Sequence, residues 1–327
     1  MPTFLTTKKM NPELRARLEA SVRGASRSTV ESSHPGRKRL VASFGRVFLV
    51  VFLVLAARSF LSFRKTQVSE LEHSRSALSN DVRAHSRDLS DAEKGIVDRV
   101  SPWLVEASSG YAGDIVDDEL RKTGFGNWIS RPTVYVRGPI AAFGAPKTLT
   151  EAAAASRKDP LLVCLVEPPK TRDEKNVLER VRAVYMGGAE TRTPNARLLH
   201  EAIVGLPFLA HAWEGNIMGA KDTRELVRLR SELERAPIEG AKKAARAKLL
   251  VYAMDEPGTG PSELDGERVH DVRVGLVDIV SGRVLMRVKR TVDPGWMSST
   301  ARVVYASGMD GCLLATDIRA AADQAQK

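Results

Sequence analysis

The sequence predicts an α/β (or α+β) domain: a mixed, partly parallel sheet of about five strands covered by helices, preceded by one transmembrane helix and a juxtamembrane helix. Three observations carry this reading. Strand and helix patterns alternate between residues 133 and 186. Alternating apolar residues on both sides of a Ser281–Gly282 turn mark a hairpin. One unbroken apolar run of 11 residues, Val47–Ala57, lies between basic clusters near the N-terminus.

Residues 1–39 are polar and basic, the composition of a largely disordered tail. One short helix is expected at 12–22, with Asn11 as cap, Pro12 in the first turn and Leu14, Leu18 and Val22 on one face. Basic residues beside that face suit an inner membrane surface.

The apolar run is read as a span over 40–61. A helix needs about 20 mostly apolar residues to cross the hydrocarbon layer. Leu40–Leu61 gives 22 but takes in Arg46 and Arg58. Near the ends of a span, arginine stems lie along the lipid and the guanidinium reaches the headgroups. The same residue at the bilayer centre costs roughly 2.5–3.5 kcal/mol. An uncleaved signal anchor competes with a cleaved signal peptide, for which Val54 and Ala56 supply small-residue positions, and with a buried core helix. The long polar stretch upstream favours the anchor.

Charge supports a side for each part. Residues 1–65 hold 13 Lys and Arg against Glu13, Glu19 and Glu31. The chain as a whole has 50 against 40, which leaves 37 against 37 beyond residue 65. The basicity therefore belongs to the tail and span. A nucleic-acid-binding domain needs its basic face on the folded part, so nucleic acid is not an expected partner. A basic tail suits the cytoplasmic side of a membrane. The expectation is a single-pass protein of the bacterial inner membrane, with its N-terminus inside and its main domain periplasmic.

Residues 66–100 read as one helix leaving the membrane. Val68, Leu71, Leu78, Val82, Leu89 and Ile96 follow heptad-like spacings, interrupted by Arg75 and His85. Such a seam pairs two chains as a coiled coil or packs on the chain's own domain. Self-association through 68–96 and packing on the domain are thus both open.

The folded domain is expected from Pro102 on. Thr133–Arg137 reads as a strand, 148–157 as a helix, and Leu161–Val166 as a central strand buried on both faces. A helix at 172–186 follows, implying a right-handed crossover. Helices are expected at 195–204, 208–218, 222–235 and 239–247, then a strand at 248–254 and an acidic loop at 255–269. In the hairpin, Val272, Val274 and Leu276 share a face, and Val284, Met286, Val288 and Val292 alternate with basic residues. Helices at 299–307 and 312–325 close the chain.

No motif assigns a catalytic residue, a cofactor or a metal. Asp255, Glu256, Glu263, Asp265 and Glu267 offer oxygen ligands, but in no EF-hand spacing, and a solvated hairpin flank accounts for them. GTGP (258–261) and MDGC (309–312) lack phosphate-loop and dinucleotide spacings and read as turns. Ser108 and Ser109 stand on no strand-to-helix elbow, and the six histidines form no pair at i, i+4. Cys164 and Cys312 are the only cysteines. In an extracytoplasmic domain they are candidates for a disulfide, and two buried thiols are the alternative.

The hairpin core DIVSGRVLMRV (278–288) resembles a segment of several bacterial envelope assembly proteins, in which a strand ends in Asp-x-x-Ser/Thr-Gly-Lys/Arg and turns back. The resemblance implies an envelope binding module. Two functional classes follow from the sequence: an anchored module that binds an envelope component, and an anchored, hydrolase-like enzyme whose site no motif reveals.

Overall fold

The computed structural model describes residues 37–156, 159–187, 195–258, 269–298 and 311–322. The expected helices at 12–22 and 299–307, and the acidic loop from 259 to 268, lie outside the described residues. The chain divides into two compact units, one up to Ser69 and one from Glu70 onward.

In the first unit the described residues form helix α1, Arg37–Ser86, which continues into the second unit. No proline falls between Pro35 and Pro102, so nothing interrupts the backbone ladder over the apolar run. Phe52, Leu53 and Leu55 are 65%, 57% and 58% exposed. Among the described residues no helix is long and apolar enough to cross a membrane.

The second unit is an α/β fold with a six-stranded mixed sheet. Its strands are β1 Ile115–Val116, β2 Thr133–Pro139, β3 Ala196–Leu198, β4 Leu249–Asp255, β5 His270–Asp278 and β6 Arg283–Val292. They are ordered β1-β6-β5-β4-β2-β3. Strand β2 runs parallel to both β3 and β4, and the remaining pairs are antiparallel.

The helices of this unit, after α1, are α2 Asp91–Lys94, α3 Ile96–Ser109, α4 Asp118–Thr123, α5 Phe125–Ile129, α6 Pro146–Ala155, α7 Leu161–Val166 and α8 Glu174–Gly187. Then come α9 Leu199–Gly205, α10 His211–Gly219, α11 Thr223–Arg235, α12 Ile238–Ala245 and α13, residues 311–322. Alternation along the strands divides the core between the two sheet faces. Tyr135, Val251, Ala253, Val274 and Met286 pack with α7, α8 and α13. Val134, Val136, Leu250, Tyr252 and Met254 pack with the end of α1 and with α3, α9, α11 and α12.

The largest correction concerns Leu161–Val166, expected as the central strand. It is helix α7, and β2 pairs directly with β4 where that strand was expected. Pro160 holds helical backbone angles (φ −81°, ψ −7°), and Cys164 N donates to Pro160 O at 2.9 Å. Leu161 to Leu165 are all buried, at 5% exposure or less, so the run is apolar all round in either conformation. Burial without periodicity does not separate a short core helix from a two-sided strand.

Three smaller corrections follow. The helix expected over 66–100 ends at Ser86, because Ser90 starts a new one through a reciprocal capping box with Glu93. Helix α3 then passes through Pro102. The helix expected from 195 begins at Leu199, after the three-residue edge strand β3. In the hairpin, the register slips between Leu276 and Val277, so that Val277 faces Val284 and Leu285 is the extra residue. Val284 therefore joins the opposite core from Met286 and Val288. The rest of the hairpin is as expected: Gly282 takes φ +71° in the turn, and Asp278 Oδ1 accepts from Val280 N.

From Leu71 onward the heptad-like seam packs within the second unit, whereas Val68 is 60% exposed. Leu78, Val82, Leu89 and Ile96 are at most 5% exposed, in the core with α9, α11 and α12.

Candidate functional site

Two polar places stand out from this frame, one closed and one open. The closed one lies at the carboxyl ends of the parallel strands β2 and β4, where open α/β sheets bind ligands when a crevice remains. Arg137, near the end of β2, is 9% exposed. Its Nε and Nη2 donate to Asp255 at 3.1 and 2.8 Å, and Nη1 donates to Asp159 at 3.3 Å. Tyr135 donates its hydroxyl to Asp159, and His270 Nε2 lies 3.2 Å from Asp255 Oδ1.

Burial pushes the Asp255 carboxyl up, but the Arg137 charge and the His270 hydrogen bond outweigh it and hold it below the usual carboxylate range. Ser156 Oγ accepts from Arg137 N and donates to Arg137 O, tying the strand to the end of α6. A methyl group on Gly138 would come within 2.6 Å of Ala152 Cβ, so α6 seals the remaining space. This network is a structural lock at the strand ends.

Beside the lock, Asp159 also accepts from Leu161 N at 3.0 Å at the start of α7. Three residues on, Cys164 stands with its Cα 5.0 Å from that of Cys312 on α13, their sulfurs within bonding distance. Asp255 of the expected acidic loop belongs to the lock, and Glu256 is held by Arg273 and Lys289. No group of His, Cys, Asp and Glu that could hold a metal ion occurs among the described residues. The two serines are spent on helix carbonyls: Ser108 Oγ donates to Val105 O and Ser109 Oγ to Glu106 O.

The open place is a cavity of about 410 Å³ on the opposite sheet face. Its walls are the last turns of α3 (Trp103, Glu106), the segment through Tyr111, and Tyr252, Val284 and Arg287 of the sheet. A larger cleft of about 770 Å³ lies between the end of α1 and helices α11 and α12. Several of its charges already face one another, as Arg230–Asp81 and His85–Glu239 do.

One rung of the sheet builds the smaller cavity. Tyr252 of β4 lies opposite Gly275 of β5, which lies opposite Arg287 of β6. Directly opposed residues project on the same face. A Cβ on Gly275 would sit 2.1 Å from the Tyr252 ring, so glycine is what lets the ring lie flat over β5. Tyr252 is 3% exposed, and its hydroxyl has no hydrogen-bond partner among the described residues. Burial pushes its pKa up; the nearby Arg287 charge pulls the other way, and Glu106 adds to the rise. The phenol is thus a neutral donor at physiological pH. Trp103 Nε1 likewise donates to no protein group among the described residues.

Arg287 is singular among the basic residues of the hairpin. Arg273 pairs with Glu256, Arg283 with Glu119, Lys289 with Asp271 and Glu256, and Arg290 with Asp114. Arg287 gives its Nε to Gly113 O at 3.0 Å and lies 5.8 Å from the Tyr111 ring centroid. It has no carboxylate partner among the described residues.

No protein-family model, curated protein or solved structure matches this chain. The cavity's chemistry is therefore the guide to what it takes. It gathers two donors and a cation without protein acceptors or carboxylate partners among the described residues, three aromatic rings, and Glu106 as the one carboxylate of its lining. Sequence reasoning missed Trp103, Tyr252 and Arg287. The available signal was Gly275, a glycine inside the alternating strand HDVRVGLVD, which marks a close approach.

Proposed function

We propose that this chain is a single-pass membrane-anchored protein whose extracytoplasmic α/β domain binds a component of the bacterial envelope. In this reading residues 1–39 are a cytoplasmic tail, about 40–61 span the membrane, and the domain lies on the far side. The observation that carries it is the outward display of Phe52, Leu53 and Leu55, each more than half exposed, on a continuous helix with basic residues at both ends of the apolar run. In water, exposed apolar side chains are unfavourable relative to an apolar environment, by up to roughly 1.5–3 kcal/mol each for full transfer. Lipid supplies that environment.

Two further facts support the placement. Residues 1–39 hold nine Lys and Arg against three Glu, a basic excess that suits a cytoplasmic flank, although Arg64 and Lys65 follow the span on its other side. The two cysteines stand at bonding distance, which suits an oxidising compartment. On the domain itself, an open cavity whose donors have no protein acceptor among the described residues supports a binding role.

Reporter fusions joined after residue 70 test the topology. Activity of an exported reporter such as alkaline phosphatase is expected, with none from a cytoplasm-dependent one. The reverse pattern overturns the proposal.

A further inference from the structure

We infer that the cavity between α3 and the sheet binds a sugar carrying an acidic group, such as a carboxylated unit of an envelope glycan. The inference rests on the extracytoplasmic placement proposed above for its biological source, and on the cavity alone for its chemistry.

The donors come first. Trp103 Nε1, the Tyr252 hydroxyl and the free edge of the Arg287 guanidinium all line one space and all lack a protein acceptor among the described residues. These donors open on the cavity rather than on a sealed interior, and a converging set of them with no protein acceptor among the described residues suits an acceptor-rich ligand. Arg287 narrows the class. Every other basic residue of the hairpin has a carboxylate, so this one cation is left for a negative group from outside, and a planar guanidinium matches a carboxylate with two parallel hydrogen bonds.

Glu106 then separates a sugar acid from a simple anion. As the lining's one carboxylate, it has nothing to accept from a benzoate-like ligand and would repel it. A sugar brings hydroxyl donors for Glu106 and an acid for Arg287. Its apolar ring face suits a cavity whose lining includes the aromatic side chains of Trp103 and Tyr111. The volume of about 410 Å³ falls in the range of small-ligand sites, large enough for one or two rings.

The test uses the full chain in detergent and two sugars that differ by one acidic arm, N-acetylmuramic acid and N-acetylglucosamine. Calorimetric titration to about 10 mM would fill about nine-tenths of sites with a Kd near 1 mM. Saturable binding of the acid is expected, about tenfold weaker for the neutral sugar. Arg287→Gln should reduce the acid to the neutral sugar's affinity while moving the melting temperature by no more than a few degrees, the effect of losing the hydrogen bond to Gly113 O, and Tyr252→Phe should weaken both sugars. Three results would each overturn the assignment: neither sugar binding, equal binding of both, or benzoate binding as well as the acid. The reporter fusions decide the other half separately. Sugar binding with a cytoplasmic domain would keep the site and remove its envelope source, and no binding with an exported domain would remove the site alone.

Discussion

Loss of the Cys164–Cys312 link should lower the second unit's stability by about 2–5 kcal/mol. The two residues are 148 positions apart, so a bond between them closes most of the domain into one loop. The chain-entropy model gives about 5 kcal/mol for a loop of that length, an upper value that native accommodation usually reduces. In a domain of this size each kcal/mol moves the melting point by about 2–4 °C, so a fall of roughly 4–20 °C is expected.

Alanine variants provide the decisive comparison. Both cysteines are fully buried, so each substitution also removes a packed sulfur. If the sulfurs are bonded, either single variant already breaks the link, and the double variant should cost little more than one single. If they are separate thiols, the two losses should add. Thermal melts of the wild type and three variants, each with and without reductant, distinguish these. Additive losses, together with a wild-type melt that reductant leaves in place, would refute the linked domain and weaken the case for an oxidising compartment.

Val163, 3% exposed inside α7, should not tolerate a carboxylate: Val163→Asp is expected to cost several kcal/mol, and Val284→Asp, on a partly buried position, less. Thermal melts compare them, and a Val163→Asp melt within a few degrees of wild type would contradict the packing of α7. Arg137→Gln should cost about 3–5 kcal/mol near neutral pH, since Asp255 and Asp159 lose the cation they face in the lock. Because the wild-type Asp255 carboxyl is held below its unfolded value, its contribution is present above about pH 4 and lost as pH falls through the depressed value. Without Arg137 the same burial favours the protonated form, so the gap between variant and wild type should narrow on acidification; urea melts at several pH values check it, and a constant gap would count against the lock.

Much of the fold was legible because its local signals agree with its tertiary ones. Strand β4, expected at 248–254, spans Leu249–Asp255, and α11 begins where Asp222 caps it, its carboxylate accepting from Glu225 N. Strand β2 was legible from TVYVR between prolines and glycine. The failures came where a local pattern has two physical solutions. Six apolar residues after Pro160 satisfy burial as a strand or as a helix, and only the direct pairing of β2 with β4 selects the helix. Strand β3 has three residues at a sheet edge, too short to show a period.

The cavity was illegible for a different reason: it is a property of register. Tyr252 reads as one more buried strand residue, and Arg287 as one of several bases alternating with apolar residues. Only the pairing of β4, β5 and β6 sets them on one rung with Gly275 between them. The bulge then completes the wall. Counting alternate residues back from Val288 and Met286 puts Val284 on the far face, and the extra residue Leu285 turns it onto the cavity's side, beside its strand partner Val277. A shift of one residue in either strand would carry Arg287 to the face of α7 and α13, leaving the Tyr252 hydroxyl without a cation beside it. The site therefore depends on a hairpin register that Gly282 and the Leu276/Val277 slip fix together. The same turn that makes the hairpin easy to recognise is what places Arg287 beside Tyr252 on the cavity wall.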